Sequence, residues 1–97
     1  ITYEKMHLER RRELEDLRYD NEIARYDSLM AVSARTVALY QELSDELGSM
    51  SALGESPVSE YIVALSKLTS ARQHHELYSI LKLKLRLQRK RYILSQP

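Results

Sequence analysis

Residues 48–57 read GSMSALGESP, and this stretch decides the fold. It holds both glycines of the 97-residue chain and one of its two prolines, and the second proline is the last residue. Since glycine and proline interrupt helices more strongly than other residues, the segments on either side can each form one long helix. We predict helices over residues 1–47 and 57–94, joined by a turn over residues 48–56.

The two ends of this turn carry residues that commonly end and begin helices. We expect Gly48 to adopt the left-handed conformation that follows many helix ends. We expect Ser56 to cap the second helix and Pro57 to occupy its first position, where a missing N–H does no harm. Folding about residues 52–53 would place residue i opposite roughly residue 105 − i. The predicted fold is all-α, an antiparallel helical hairpin or coiled coil in a single module over residues 1–97.

The overall composition agrees with long helices. The chain is 43% apolar and 30% charged and contains no Cys, Trp or Phe. Leu is its most frequent apolar residue, and Glu and Arg are its most frequent charged residues. All three favour helix. Sandwiches and barrels need many more turn residues than two glycines and two prolines. The absence of Cys excludes a disulfide scaffold and a thiolate metal site.

Apolar side chains recur every three or four positions from Tyr19 to Leu47, in two neighbouring rows. In the second helix, the leucines of residues 81–87 cover about half of the circumference. Faces this broad exceed the seam of a two-stranded coiled coil, so one hairpin leaves much of them in water. We expect the hairpin to complete a helical bundle with partner helices or, as the first expectation, with a second copy in a homodimer. The residues predicted to form this partner interface are Ile23, Tyr26, Met30, Val37, Tyr40, Leu81, Leu83, Leu85 and Leu87.

Two segments of the second helix depart from a simple helical pattern. The apolar spacing weakens across residues 69–75 and resumes shifted at Leu77, which predicts a stutter in the coiled coil. Residues 81–87 read LKLKLRL and alternate as strand residues do. Because Leu, Lys and Arg favour helix and no other segment offers a partner strand, we predict helix here.

The net charge of +1 conceals an uneven distribution along the chain. Residues 1–50 carry seven Lys or Arg against eleven Asp or Glu, whereas residues 51–97 carry eight against three. Folding back would bring the basic stretch 82–91 beside the acidic residues of 14–23, which predicts internal pairing. The alternative is that this stretch contacts nucleic acid or an anionic membrane surface. The residues predicted for such an anion contact are Lys82, Lys84, Arg86, Arg89, Lys90 and Arg91.

Sequence motifs for catalysis are absent from the chain. It contains no HExxH, no glycine-rich phosphate loop and no GxSxG. His74 and His75 are adjacent, so on a helix they point about 100° apart and cannot share a metal ion. We therefore expect no catalytic residues, no cofactor and no metal site, and hence no enzyme.

No segment approaches the ~18 consecutive apolar residues of a membrane-spanning helix, and no signal peptide opens the chain. We expect an intracellular protein, cytoplasmic or nuclear. Because the chain begins with Ile1 rather than Met, we expect it to be a fragment of a larger protein. The predicted function is a protein–protein interaction or oligomerisation module that acts as a structural scaffold within a multi-protein assembly.

Overall fold

The computed structural model describes residues 2–96, which form two long helices that pack against each other. Helix α1 spans Thr2–Ala52 and helix α2 spans Val58–Ser95. The hairpin is 79 Å long and only 17 by 13 Å in its other two dimensions. The predicted all-α helical hairpin is confirmed. Residues 81–87, despite their alternating sequence, are helical within α2.

The first helix ends five residues later than predicted, and the reason lies in the two glycines. Gly48 is inside α1, while Gly54 takes the left-handed conformation with φ of 73°. The N–H of Glu55 donates to the carbonyl of Met50 at 2.8 Å, and that of Gly54 donates to Ser51 at 3.1 Å. This pair of bonds is the Schellman motif, which satisfies the last carbonyls of the helix. The prediction that Gly48 takes the left-handed conformation at the helix end is wrong, because Gly54 takes it.

Gly48 serves a different purpose, which is close approach between the helices. The aromatic ring of Tyr61 lies against the backbone of α1 at this position. A Cβ built on Gly48 would stand 2.8 Å from Cε2 of Tyr61, closer than real side chains come. The absence of a side chain at Gly48 therefore lets the tyrosine pack directly on the helix backbone.

The start of α2 is also shifted from the prediction by one residue. Pro57 precedes the first helical residue, with an extended backbone at φ −62° and ψ 140°. The hydroxyl of Ser56 donates to Oε2 of Glu60 at 3.0 Å, a side-chain bond rather than a backbone cap. The expected arrangement, with Ser56 as N-cap and Pro57 inside the helix, is therefore wrong, although α2 begins within one residue of the predicted start.

The residues with reduced exposure recur at alternating intervals of three and four along both helices, as in a coiled coil. We call these positions the seam. The spacing continues unbroken through residues 69–75, so the predicted stutter is wrong. Ala71 and His75 occupy the seam there, and the apolar pattern weakens because these residues are small or polar. The seam consists of residues 12, 16, 19, 23, 26, 30, 33, 37, 40, 44, 47 and 51 of α1 with residues 61, 64, 68, 71, 75, 78, 82, 85, 89, 92 and 96.

Contacts across the seam fix how the two helices are aligned. Oγ of Ser33 lies 2.7 Å from Nδ1 of His75, and near the open end the rings of Tyr19 and Tyr92 have centroids 5.9 Å apart. These pairs place residue i opposite roughly residue 109 − i, about four positions from the predicted alignment. The longer first helix moves the turn, and with it the register.

The apolar core between the helices is thin. Four apolar residues are buried, and all belong to α2: Ala64, Leu68, Ala71 and Leu85. Two serines of α1, Ser33 and Ser44, are the buried polar residues among those described. Each serine donates a hydrogen bond of 3.0 Å to a carbonyl of its own helix. Small residues at these positions let the helices approach closely but bury little apolar surface.

Candidate interaction surfaces

The structure places most of the predicted interface residues between the two helices of the hairpin. Six of them occupy seam positions and Leu81 lies directly beside the seam, where each is buried or half-buried. Leu83 and Leu87 instead point outward, with 57% and 54% of their surface exposed. The alternating leucines are thereby divided, because only Leu81 and Leu85 face α1. A role for any of these residues in binding a partner stays a prediction.

Many large apolar side chains of the described residues are exposed. Nineteen large apolar side chains are exposed, against the four apolar residues in the core. Apolar surface of this extent on a small protein usually marks an interaction site. The exposed side chains are not scattered evenly, and two groups can be recognised.

The first group lies along one side of the hairpin, and we call it the apolar face. Leu43 of α1 and Val63 of α2 line one surface groove here, and Val32 lines a second groove with His74. Leu39 follows Val32 by seven residues and therefore shares its row. Leu39 is the most exposed member, at 62%. The apolar face consists of the exposed Val32, Leu39, Leu43, Val63 and Leu77 together with the half-buried Leu29.

On the opposite side of the hairpin, which also exposes apolar residues such as Ile62, charged side chains join the two helices. Three residues of α1 make these contacts. They are Asp20, Asp27 and Gln41, which are seven and fourteen residues apart and therefore lie in one row. Exposed ion pairs of this kind contribute about 0.2–1 kcal/mol each, so they select alignment more than they supply stability. The contacts are Asp20 with Arg89 at 2.5 Å, Asp27 with Lys82, and Gln41 with Arg72.

Two of the six residues predicted for anion contact are therefore paired within the hairpin. Asp20 lies inside the acidic segment expected to face the basic stretch, whereas Asp27 lies beyond it because of the shift in register. The acidic residues Glu15 and Glu22 are within 4.0 Å of Arg18 on their own helix. Internal pairing thus accounts for part of the basic stretch and leaves the rest available.

The second exposed group lies on the outward side of the last third of α2, and we call it the basic outer face. Ile80, Leu87 and Leu94 follow one another at intervals of seven residues and form an apolar row. Four cations surround this row and are exposed, and no ion pair holds them within residues 2–96. These four are Lys84, Arg86, Lys90 and Arg91.

Polar contacts at the seam include a histidine whose place the sequence pattern did not reveal. His75 is half-buried and contacts Ser33, because it stands seven residues after Leu68 in the same seam row. Strict seven-residue counting from Leu68 would have found it, whereas apolar periodicity could not. No group of three or more His, Asp or Glu that could hold a metal ion lies in the described chain.

The first ten described residues extend beyond the end of α2. Residues 2–11 are all exposed, and no residue of α2 lies opposite them in this register. The rings of Tyr3 and His7 stack on the surface of this single helix with centroids 6.4 Å apart. Neither helix, over residues 2–96, contains a segment long and apolar enough to cross a membrane.

Comparisons of the chain with known proteins identify no relative. No family model matches the chain, and no curated protein or solved structure matches it.

Proposed function

We propose that this hairpin is an intracellular protein–protein interaction or oligomerisation module, acting as a structural scaffold within a multi-protein assembly. One observation carries the proposal, which is the imbalance between four buried apolar residues and nineteen exposed large ones. A surface of that composition is stabilised when other helices cover it, at roughly 25 cal/mol for each Å² of apolar area removed from water.

The shape of the molecule supports the same function. Two helices that pack over most of their length leave their outer sides free, and further helices can add to them as in a four-helix bundle. Scaffold proteins of this kind work through extended helical surfaces rather than through a reactive site.

Sedimentation equilibrium combined with light scattering tests the proposal. If the chain associates with itself, we expect a mass above the 11.4 kDa of one chain at micromolar concentration. If it binds another protein instead, we expect the mass to rise when that protein is added. A cooperatively unfolding monomer that binds no protein in pull-down from cell extract, and none in crosslinking, would contradict the proposal.

The basic outer face supports a second candidate function, binding to nucleic acid or to an anionic membrane surface. Its supporting observation is that four exposed cations flank an apolar row without acidic partners of their own. Binding to a fluorescent duplex should then weaken linearly with salt on logarithmic axes. Flotation with phosphatidylserine vesicles, compared with neutral vesicles, tests the membrane form of the candidate.

Substituting the four free cations with glutamine gives the matched variant for these assays. Lys82 and Arg89 should be kept, because they hold ion pairs with α1. Loss of binding with unchanged helicity would support the second candidate. Equal binding by the wild type and this variant would contradict it.

A further inference from the structure

We propose that the apolar face binds the apolar face of a second copy of this chain, with the two hairpins antiparallel, to form a four-helix bundle. This inference rests on the proposed oligomerisation function and names its partner and geometry. Three features support it: the order of residues along α1, the charge at each end of the hairpin, and two charged residues of α1 that have no partner among residues 2–96.

The row of α1 that crosses the apolar face is self-complementary when reversed. Arg25, Val32, Leu39 and Glu46 follow one another at intervals of seven residues and lie on one side of the helix. Their order is basic, apolar, apolar, acidic. In an antiparallel pair of α1 helices, a two-fold axis between Val32 and Leu39 would place Arg25 of one copy opposite Glu46 of the other. In a parallel pair, Arg25 would face Arg25.

The neighbouring row has the same symmetry. Leu29 and Leu43 lie at equal distances on either side of Thr36, close to the same axis. Between Leu29 and Leu43, neither of these two rows carries a charged side chain. A two-fold interface uses the same patch on both subunits, and this patch meets that requirement with an apolar centre and opposite charges at its two ends.

Arg25 and Glu46 have no partner within the hairpin. Both are exposed, and neither takes part in an ion pair or side-chain hydrogen bond in the described chain. Other charged residues of α1, such as Asp20 and Asp27, are paired with α2. The two ends of the self-complementary row are therefore available to another copy.

The overall charge distribution favours the antiparallel arrangement as well. Residues 36–73, the segment nearest the turn, carry two Lys or Arg against five Asp or Glu. The rest of the chain carries thirteen against nine. Antiparallel packing places the acidic turn end of one hairpin beside the basic remainder of the other, whereas parallel packing would bring like charges together.

Charge reversal tests the orientation by sedimentation of the purified chain. Arg25→Glu alone and Glu46→Arg alone should each weaken dimerisation about tenfold, because each creates two like-charge contacts across the symmetric interface. The double variant Arg25→Glu with Glu46→Arg should regain the wild-type dissociation constant within about threefold. A double variant as weak as the single ones would overturn the antiparallel arrangement.

Substitution of the apolar centre tests the surface itself. Val32→Asp with Leu39→Asp should convert the dimer to a helical monomer. Ile62→Asp is the matched control, because Ile62 is 58% exposed but lies on the other side of the hairpin. The control should remain dimeric. An oligomer that survives the double substitution would overturn this inference while leaving the proposed function standing.

Crosslinking gives a readout that does not depend on stability, and the cysteine-free chain makes it specific. Arg25→Cys and Glu46→Cys chains should react with a short bismaleimide when mixed, and much less when each is alone. Crosslinking of each variant with itself would show a parallel pair and overturn the inference. A wild-type chain that stays monomeric at all concentrations and binds no protein would instead contradict the proposed function.

Discussion

Gly54 shows how one residue ends the first helix. Its φ of 73° is a conformation that L side chains rarely adopt, yet no atom lies within 4 Å of the position where a Cβ would stand. We therefore expect Gly54→Ala to lower the free energy of unfolding by about 1 kcal/mol through backbone strain, without a clash. Gly54→Asn should cost less, since asparagine tolerates this conformation better. Urea denaturation measures both, and equal losses for the two variants would contradict the strain argument.

The Ser33–His75 contact is a second position where a single side chain can be tested. Removing the hydroxyl by Ser33→Ala leaves the half-buried His75 Nδ1 without its partner at 2.7 Å. Ser44→Ala is the matched control, because Ser44 is also buried in the seam but bonds only to a carbonyl of its own helix. We expect Ser33→Ala to be less stable than Ser44→Ala by about 1 kcal/mol in thermal unfolding. Equal stability would mean that the contact contributes nothing.

At the level of elements, alignment of the helices depends on charges as well as on apolar contacts. Asp27→Lys should place two cations together at Lys82 and cost about 1 kcal/mol in urea denaturation, and adding Lys82→Asp should restore much of that loss. The effect should shrink in 1 M salt because exposed ion pairs are screened. A loss that persists in the charge-swapped variant would mean that Asp27 acts through something other than this pair.

Two helices and a turn could be predicted from the sequence, because both glycines and the one proline that is not the last residue lie in one ten-residue stretch. The seam could not be predicted fully, since it contains the polar residues Ser33, His75 and Lys82, whereas coiled-coil seams are mostly apolar. Periodicity of apolar residues locates a seam only where the seam is apolar. In the strongest leucine pattern, residues 81–87, two leucines face α1 and two point outward. The apolar pattern alone does not distinguish these two pairs.

The choice between Gly48 and Gly54 likewise could not be made from the sequence. Both are followed by serine or a charged residue within two positions, and both fit a helix end. The structure distinguishes them: Gly54 has the positive φ, whereas Gly48 packs against the ring of Tyr61, which is distant in sequence. Moving the end of α1 then moved every pairing between the helices, which is why the basic stretch meets Asp27 as well as Asp20.

At the scale of the whole molecule, a 79 Å hairpin with four buried apolar residues buries little apolar surface of its own. Small domains bury a low fraction of their surface, and a long thin one buries less than a sphere of equal mass. In the proposed dimer, a second copy covers the apolar face, and burial of this face increases the free energy of unfolding. Stability should therefore depend on the concentration of the chain, as it does for any oligomer whose subunits are stabilised by association.

We expect the midpoint of thermal unfolding to rise with concentration between about 1 and 100 μM, as mass action requires for a dimer that dissociates on unfolding. Val32→Asp with Leu39→Asp should lower the midpoint and remove its dependence on concentration, because the variant unfolds as a monomer. Ile62→Asp should keep the dependence, since it leaves the apolar face intact. Circular dichroism at several concentrations measures all three chains. A wild-type midpoint that is high and independent of concentration would mean that contacts at the seam alone stabilise the hairpin. The apolar face would then contribute nothing to the stability of the isolated chain.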